Sequence, residues 1–177
     1  LLTLWVLLSG ALHLDGLADS ADAWLGGFGD RERTLLIMKD PRSGPIAVVT
    51  LVLVLLLKFC ALWVLVERGI GAQLLLAPLI GRAAMLGLFL STPYVRQGGL
   101  GQALAEHLPR HAAGWVLLGC VLFCLVLGGW IVLLAFAVFA WLRQLMCRRL
   151  GGTTGDTAGA MLELLELAVV LGLALGL

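Results

Sequence analysis

Long, nearly uninterrupted runs of apolar residues constrain this chain more than any other feature. Residues 46–66 contain one charged side chain, Lys58, and residues 72–90 contain one, Arg82. A helix of about 20 such residues crosses the roughly 30 Å hydrocarbon core of a bilayer. Apolar residues make up 61% of the 177-residue chain and charged residues only 13%, which excludes a soluble domain. The sequence therefore predicts an all-α fold, a polytopic integral membrane helical bundle with one transmembrane domain over residues 1–177.

About six spans are predicted, at residues 1–14, 46–66, 72–90, 112–127, 130–147 and 158–177. A single span from Ala112 to Trp141 would be about 45 Å long, so we interpret Gly128-Gly129 as a tight turn between two spans. The first run reaches only about 21 Å. We therefore expect the chain to begin inside a transmembrane helix and to be truncated at its N-terminus.

The distribution of Lys and Arg supports a turn in that region. With the turn in place, nine of these cations lie on one side of the membrane and only Arg68 on the other. The positive-inside rule places the richer side, with the loops at residues 20–44, 91–111 and 148–157, in the cytoplasm. The 12 Lys+Arg against 11 Asp+Glu leave no basic excess to neutralise phosphates, which excludes an overall nucleic-acid binder.

The first polar motif is H-L-D-G-L-A-D-S-A-D at residues 13–22. Its carboxylates, Asp15, Asp19 and Asp22, are spaced i, i+4, i+7 and share about a 60° arc of one helix face. Carboxylates this close repel one another, so we expect a hard divalent cation, Mg²⁺ or Mn²⁺, to bind between them. His13 points away from Asp15 on an ideal helix, and we expect it to contact substrate rather than metal.

The second motif is M-K-D-P-R-S-G-P at residues 38–45, an irregular loop after a short helix that Asp30 is predicted to cap. Basic side chains in such a loop bind phosphate oxygens or anchor the chain to lipid headgroups, and both roles stay open. The expected substrate-binding residues are Lys39, Arg42 and Ser43, and Asp40 is an expected metal ligand.

The third motif is R-R-L-G-G-T-T-G-D-T-A-G at residues 148–159. A glycine-rich turn before a helix exposes backbone N–H groups that suit an anion, and this one lacks the G-K-[ST] of a Walker A loop. Substrate-binding residues are expected at Thr153, Thr154 and Gly155. Asp156 is either the N-cap of the following helix or a metal ligand.

Two glutamates, Glu163 and Glu166, follow inside the last apolar run. Carboxylates are costly within a membrane and usually functional there, so both are expected metal ligands. The alternative is an internal ion pair with Lys58 or Arg82. These two cations are therefore expected either to pair with carboxylates or to reach a substrate phosphate.

All three motifs fall at the same predicted membrane boundary. Carboxylates beside two phosphate-binding loops indicate Mg²⁺-dependent phosphoryl or nucleotidyl transfer. A cation-coupled or proton-coupled transporter using Glu163 and Glu166 is a second class, but it favours carboxylates near the midplane between broken helices. A purely structural membrane subunit does not explain so many acidic residues in three motifs.

In this order, the three motifs resemble the adenosylcobinamide-GDP ribazoletransferase family, also called cobalamin (5'-phosphate) synthases. The resemblance runs over nearly the whole chain. It implies a bacterial or archaeal inner-membrane enzyme that uses Mg²⁺ in the last steps of cobalamin biosynthesis. Such an enzyme joins adenosylcobinamide-GDP to α-ribazole or its 5'-phosphate and releases GMP. Other cobalamin-assembly enzymes and a second copy of the chain remain open as partners beside the lipid bilayer.

By resemblance, Asp15, Asp19 and Asp22 form the family's acidic motif, Lys39, Asp40 and Arg42 its second motif, and Thr154, Gly155, Asp156 and Glu163 its third. Arg82 stands where a family arginine is expected. Among these residues we expect Asp15, Asp19, Asp156 and Glu163 to be catalytic, and the resemblance does not imply which carboxylate is the base. A runner-up is the CDP-alcohol phosphotransferase family, whose D-G-x-x-A core resembles residues 15–18. Asp19 stands where that family has Arg, and its further G-x-x-x-D-x-x-x-D cannot be placed.

Overall fold

The computed structural model describes residues 1–96 and 100–176. Over these residues the chain is predominantly helical, and the extended backbone between helices forms one isolated parallel bridge, from Tyr94 to Thr153. The predicted all-α fold is therefore confirmed.

In chain order, the helices are α1 (Leu2–Leu8), α2 (Leu12–Gly26), α3 (Arg31–Ile37), α4 (Pro45–Glu67), a 3₁₀ turn (Ala72–Leu75) that leads into α5 (Leu76–Ser91), α6 (Leu100–Glu106), α7 (Arg110–Gly128), α8 (Ile131–Leu150) and α9 (Gly155–Leu175). Within the described residues, five helices are long and apolar enough to cross a membrane: α4, α5 with its 3₁₀ turn, α7, α8 and α9. They correspond to the five predicted spans after the first, and the chain is a multi-pass membrane protein.

The glycine pair separates two helices, as the length argument predicts. Helix α7 ends at Gly128, and Gly129 adopts φ +50°, a backbone conformation that favours glycine. Helix α8 begins two residues later, at Ile131. The chain therefore reverses at this point instead of continuing as one long helix.

The N-terminal part differs from the expected helix over residues 1–14. Helix α1 ends at Leu8, Gly10 and Ala11 both have positive φ, and α2 begins at Leu12. Because two successive left-handed residues interrupt the helical hydrogen bonds, the run forms two helices. The acidic motif consequently lies inside α2, a separate helix, rather than at the end of a span.

Helix α9 is the centre of the bundle. Helices α2, α4, α5 and α8 all pack against it, and most of its side chains are buried. Helix α7 lies at the periphery and exposes most of its apolar side chains, as a lipid-facing helix does. Polar residues on α9 therefore lie close to residues of several other helices.

Contacts between the charged loops place all three at one end of the bundle. Arg31 Nε donates to the carbonyl oxygen of Leu150 at 2.7 Å, which joins α3 to the end of α8. The bridge between Tyr94 and Thr153 joins the loop after α5 to the loop before α9. This arrangement agrees with the topology that the charge distribution predicts.

Candidate active site

Close packing of α2 on α9 positions the acidic residues. A Cβ built on Gly16 would lie 2.7 Å from the carbonyl oxygen of Asp156, and one built on Gly159 would lie 3.2 Å from Cα of His13. Small residues at such crossings let two helix backbones approach. The crossing sets Asp15 and Asp19 of α2 beside Asp156 in the first turn of α9.

The pKa of Asp19 reflects the proximity of these carboxylates. Burial, together with the nearby carboxylates of Asp15 and Asp156, raises the pKa of Asp19 to about 6, although Arg96 acts in the opposite direction. Like charges disfavour the ionised form of a carboxyl group. The structure thus brings together three of the predicted acidic residues, from two motifs that are far apart in sequence.

Arg96 is a site residue that the sequence analysis missed. Its Nη1 donates to Oδ2 of Asp156 in a partly buried ion pair. Its position follows from the neighbouring bridge, because Tyr94 pairs with Thr153 just before α9. The only signal in the sequence was a cation within the predicted cytoplasmic loop at residues 91–111.

The threonines of the third motif shape the turn before α9. Thr154 is the N-cap: its hydroxyl accepts from the backbone N–H of Thr157 at 3.2 Å, and the Thr157 hydroxyl accepts from the N–H of Thr154 at 2.9 Å. The alternative in which Asp156 is the N-cap is therefore wrong. Thr153 and Thr154 are fully buried and make such internal hydrogen bonds, so neither side chain has exposed surface for the expected contact with substrate. Gly155 is partly exposed at the start of α9.

Asp22 joins the first motif to the second. Its carboxylate accepts from the backbone N–H of Gly44 at 2.5 Å and from that of Ala47 at 2.9 Å, so it caps the N-terminus of α4. A Cβ on Gly44 would lie within 2.8 Å of this carboxylate, which explains the glycine there. Both oxygens of Asp22 therefore bind a helix end, and metal ligation by Asp22 stays a prediction.

The second motif forms an exposed loop, and the helix before it is capped by Asp30 as predicted. Arg42 donates to Asp40 through Nε at 2.9 Å and through Nη2 at 2.8 Å. These hydrogen bonds lower the pKa of Asp40 to about 2. Both oxygens of Asp40 therefore accept hydrogen bonds from Arg42, and metal ligation by Asp40 stays a prediction. Lys39, Arg42 and Ser43 are exposed, as a substrate-binding role requires.

A second polar cluster is buried between the spans. Lys58 Nζ lies 2.6 Å from Oε2 of Glu163 and 2.8 Å from Oε2 of Glu166. Arg82 Nη1 lies 3.1 Å from Oε1 of Glu166, and Trp5 Nε1 donates to Oε2 of the same residue at 3.0 Å. The structure therefore has the ion-pair alternative for both glutamates, and metal ligation by them stays a prediction.

The cations of this cluster differ in exposure. The side chain of Lys58 is enclosed, at 4% exposed, whereas that of Arg82 is 46% exposed. Arg82 thus keeps the expected access to a substrate phosphate, and Lys58 does not. His13 is half-buried next to Gly159, and its Nδ1 has no hydrogen-bond partner among the described residues.

Asp15, Asp19 and Asp156 offer oxygen ligands of the kind that Mg²⁺ prefers. No group of three or more His, Cys, Asp or Glu side chains in residues 1–96 and 100–176 is arranged to hold a metal ion unaided. Mg²⁺ is commonly bound by one or two carboxylates together with substrate phosphates. The residues present fit such a shared site, since a cation there would offset the burial and the neighbouring carboxylates that raise the pKa of Asp19.

These features define a polytopic membrane protein with a carboxylate site at one end of its helical bundle. Residues 1–174 match the family model described as cobalamin-5-phosphate synthase, and the chain belongs to this family. It is therefore an enzyme, a transferase of cobalamin synthesis, and the resemblance drawn from the three motifs is confirmed.

Curated relatives carry the name adenosylcobinamide-GDP ribazoletransferase. One from Pseudomonas putida strain F1 is 93% identical over 177 residues, which are 100% of this chain and 74% of the relative. One from Pseudomonas fluorescens strain Pf-5 is 77% identical over 99% of this chain and 74% of the relative. One from Pseudomonas syringae strain B728a is 75% identical over 98% of this chain and 73% of the relative. No solved structure matches the chain.

Proposed function

We propose that this enzyme joins adenosylcobinamide-GDP to α-ribazole, or to its 5'-phosphate, in a Mg²⁺-dependent transfer that releases GMP. The two substrates are those in the printed name of its relatives. The observation that carries the proposal is the convergence of Asp15, Asp19 and Asp156, with Arg96, at the α2–α9 crossing. The family match excludes the CDP-alcohol phosphotransferases as the class.

The proposed reaction is a single displacement at phosphorus. A ribazole hydroxyl attacks the phosphorus attached to the cobinamide arm, and a new P–O bond forms. The P–O bond to GMP breaks, and GMP leaves with the bridging oxygen. A carboxylate of the group Asp15, Asp19 and Asp156 accepts the proton of the attacking hydroxyl.

Arg96 at the carboxylates and the exposed cations of neighbouring elements suit a diphosphate substrate. Arg96 lies on Asp156, and Arg82 presents an exposed guanidinium, while Lys39 and Arg42 are exposed on the loop that Asp22 ties to α2. Mg²⁺ or Mn²⁺, bound by Asp15, Asp19 and Asp156 together with the substrate, would supply further neutralisation of the diphosphate.

The proposed location is the inner membrane, with the site facing the cytoplasm. Nine of the 12 Lys and Arg residues lie in or beside the loops at this end of the bundle, and such loops face the cytoplasm by the positive-inside rule. Both substrates would then reach the carboxylates from the cytoplasmic side.

The test is GMP release by the purified enzyme in nanodiscs, supplied with adenosylcobinamide-GDP and α-ribazole 5'-phosphate. We expect release that requires both substrates and stops when Mg²⁺ is chelated with EDTA. Release without the ribazole compound would indicate a hydrolase. No release from folded protein, or full release in EDTA, would contradict the proposal.

A further inference from the structure

A polar pocket of about 340 Å³ lies next to the carboxylate site. We call it the α6 pocket, because residues of α6 line it together with Phe89 of α5, residues 92–96 and Arg110 at the start of α7. Its lining includes Phe89, Tyr94, Arg96, Gln102, Glu106 and Arg110. The volume is at the lower end of small-ligand sites, which are roughly 300–1,000 Å³.

Arg96 connects this pocket to the carboxylates. Its side chain lines the pocket while its Nη1 donates to Asp156. A ligand that occupies the α6 pocket and extends past Arg96 therefore reaches Asp156 and Asp19. None of the three sequence motifs contains a residue of this pocket, so the motifs leave its role open.

One wall of the pocket is aromatic. The rings of Phe89 and Tyr94 are 6.3 Å apart between centroids and inclined by 45°. Aromatic side chains of this kind are platforms on which nucleobases stack. The Tyr94 hydroxyl is buried without a hydrogen-bond partner among the described residues, close to Gly101 and Gly155.

The charged groups of the pocket match a guanine nucleotide. Glu106 accepts from Nε2 of Gln102 at 2.7 Å through Oε1, and as a carboxylate it can accept further hydrogen bonds. Guanine presents the donors N1–H and N2–H₂ on one edge, whereas the base of a ribazole has no N–H once it carries its ribose. Arg110 and Arg96 add donors for O6, N7 or phosphate oxygens.

We propose that the α6 pocket binds the guanosine portion of the donor substrate, with Glu106 accepting from the N1–H and N2–H₂ edge of guanine. The inference rests on the proposed function, which supplies a GDP-activated donor. With the base in this pocket, the diphosphate extends past Arg96 to the carboxylates, and the GMP that leaves still occupies the pocket. GMP should consequently inhibit the enzyme by competing with the donor.

The experiment measures inhibition of the enzyme in nanodiscs by GMP, IMP and AMP, which share a ribose phosphate and differ in the base. We expect GMP to inhibit the wild type most strongly, IMP less strongly and AMP least. Glu106→Ala should lower the preference for GMP over AMP about tenfold or more and raise KM for adenosylcobinamide-GDP similarly, with KM for the ribazole substrate and kcat nearly unchanged. The control is Glu67→Ala, which removes an exposed carboxylate at the end of α4. It should change neither the preference for GMP nor KM for adenosylcobinamide-GDP.

Three outcomes would overturn the inference. They are an unchanged GMP preference in Glu106→Ala, an effect confined to KM of the ribazole substrate, and equal inhibition of the wild type by GMP and AMP. Calorimetric titration of the wild type with GMP and AMP separates this inference from the proposed function. If the enzyme showed no turnover but bound GMP selectively through Glu106, the transfer reaction would be wrong and the pocket assignment would stand.

Discussion

Gly16 of α2 lies directly against the backbone of Asp156 in α9. A Cβ at residue 16 would be 2.7 Å from the carbonyl oxygen of Asp156 and 3.0 Å from its Cα. Neither backbone atom can rotate away as the end of a flexible side chain does. The distance between the carboxylates of Asp19 and Asp156 therefore depends on a glycine that carries no chemistry of its own.

Gly16→Ala should strongly reduce GMP release, because the added methyl group pushes α2 away from α9 and misplaces two carboxylates of the site. Misplacement by about 1 Å can cost roughly 10²-fold in rate. The measurement is kcat in nanodiscs. Gly114→Ala in α7, where a Cβ would meet nothing within 4 Å, is the matched control and should keep full activity. Equal turnover of the two variants would show that the close crossing does not position the site.

Asp19→Asn should lower kcat by at least about 10²-fold while the protein stays folded, because it removes a charged oxygen ligand and a candidate proton acceptor from the site. Thermal unfolding followed by circular dichroism checks the fold, and GMP release gives the rate. Glu32→Gln, an exposed carboxylate in α3, should leave kcat unchanged. Full Mg²⁺-dependent turnover of Asp19→Asn would remove this residue from the active site.

Asp22 should behave as a helix cap rather than as a metal ligand. Asp22→Ala removes the acceptor for the N–H groups of Gly44 and Ala47 and should cost about 1–2 kcal/mol of stability. Asp22→Asn keeps one acceptor oxygen and should lose less stability than Asp22→Ala. The Mg²⁺ concentration for half-maximal GMP release should change little in Asp22→Asn. A large increase would instead make Asp22 a metal ligand, as its helix position suggests.

Lys58→Met should destabilise the protein severely, because it leaves the buried carboxylates of Glu163 and Glu166 without their shared cation. Removing one partner of a buried ion pair typically costs about 3–5 kcal/mol. The triple variant Lys58→Met/Glu163→Gln/Glu166→Gln, which removes the charges together, should regain most of this stability in thermal unfolding. Lys39→Met, at an exposed lysine, is the control. Equal stability of the single and triple variants would contradict a structural role for the cluster.

Local chemistry explains the parts of the fold that could be predicted from the sequence. The apolar runs predict the five spans from α4 to α9, because a chain in lipid must satisfy its backbone hydrogen bonds within each helix. Gly128-Gly129 predicts the turn, and Asp30 predicts the cap of α3, since both depend only on neighbouring residues. The prediction of one helix over residues 1–14 was wrong, because hydropathy does not reveal the break at Gly10 and Ala11.

The parts of the site that depend on local spacing were also predicted. Helical spacing correctly places Asp15 and Asp19 near each other, and a shared membrane boundary brings them to Asp156. Spacing alone also grouped Asp22 with them, although its carboxylate turns to the N-terminus of α4. Which partner a carboxylate takes depends on the elements packed against it, and these come from elsewhere in the chain.

The sequence by itself determined that this protein is a multi-pass helical membrane protein, and its three motifs identified the family. Only the tertiary structure decided which charged residues pair with one another. It pairs Glu163 and Glu166 with Lys58 and places Arg96 on Asp156. Spans and turns follow from interactions a few residues apart, whereas these pairings join residues 60 or more positions apart, or depend on which face of a helix its neighbours cover.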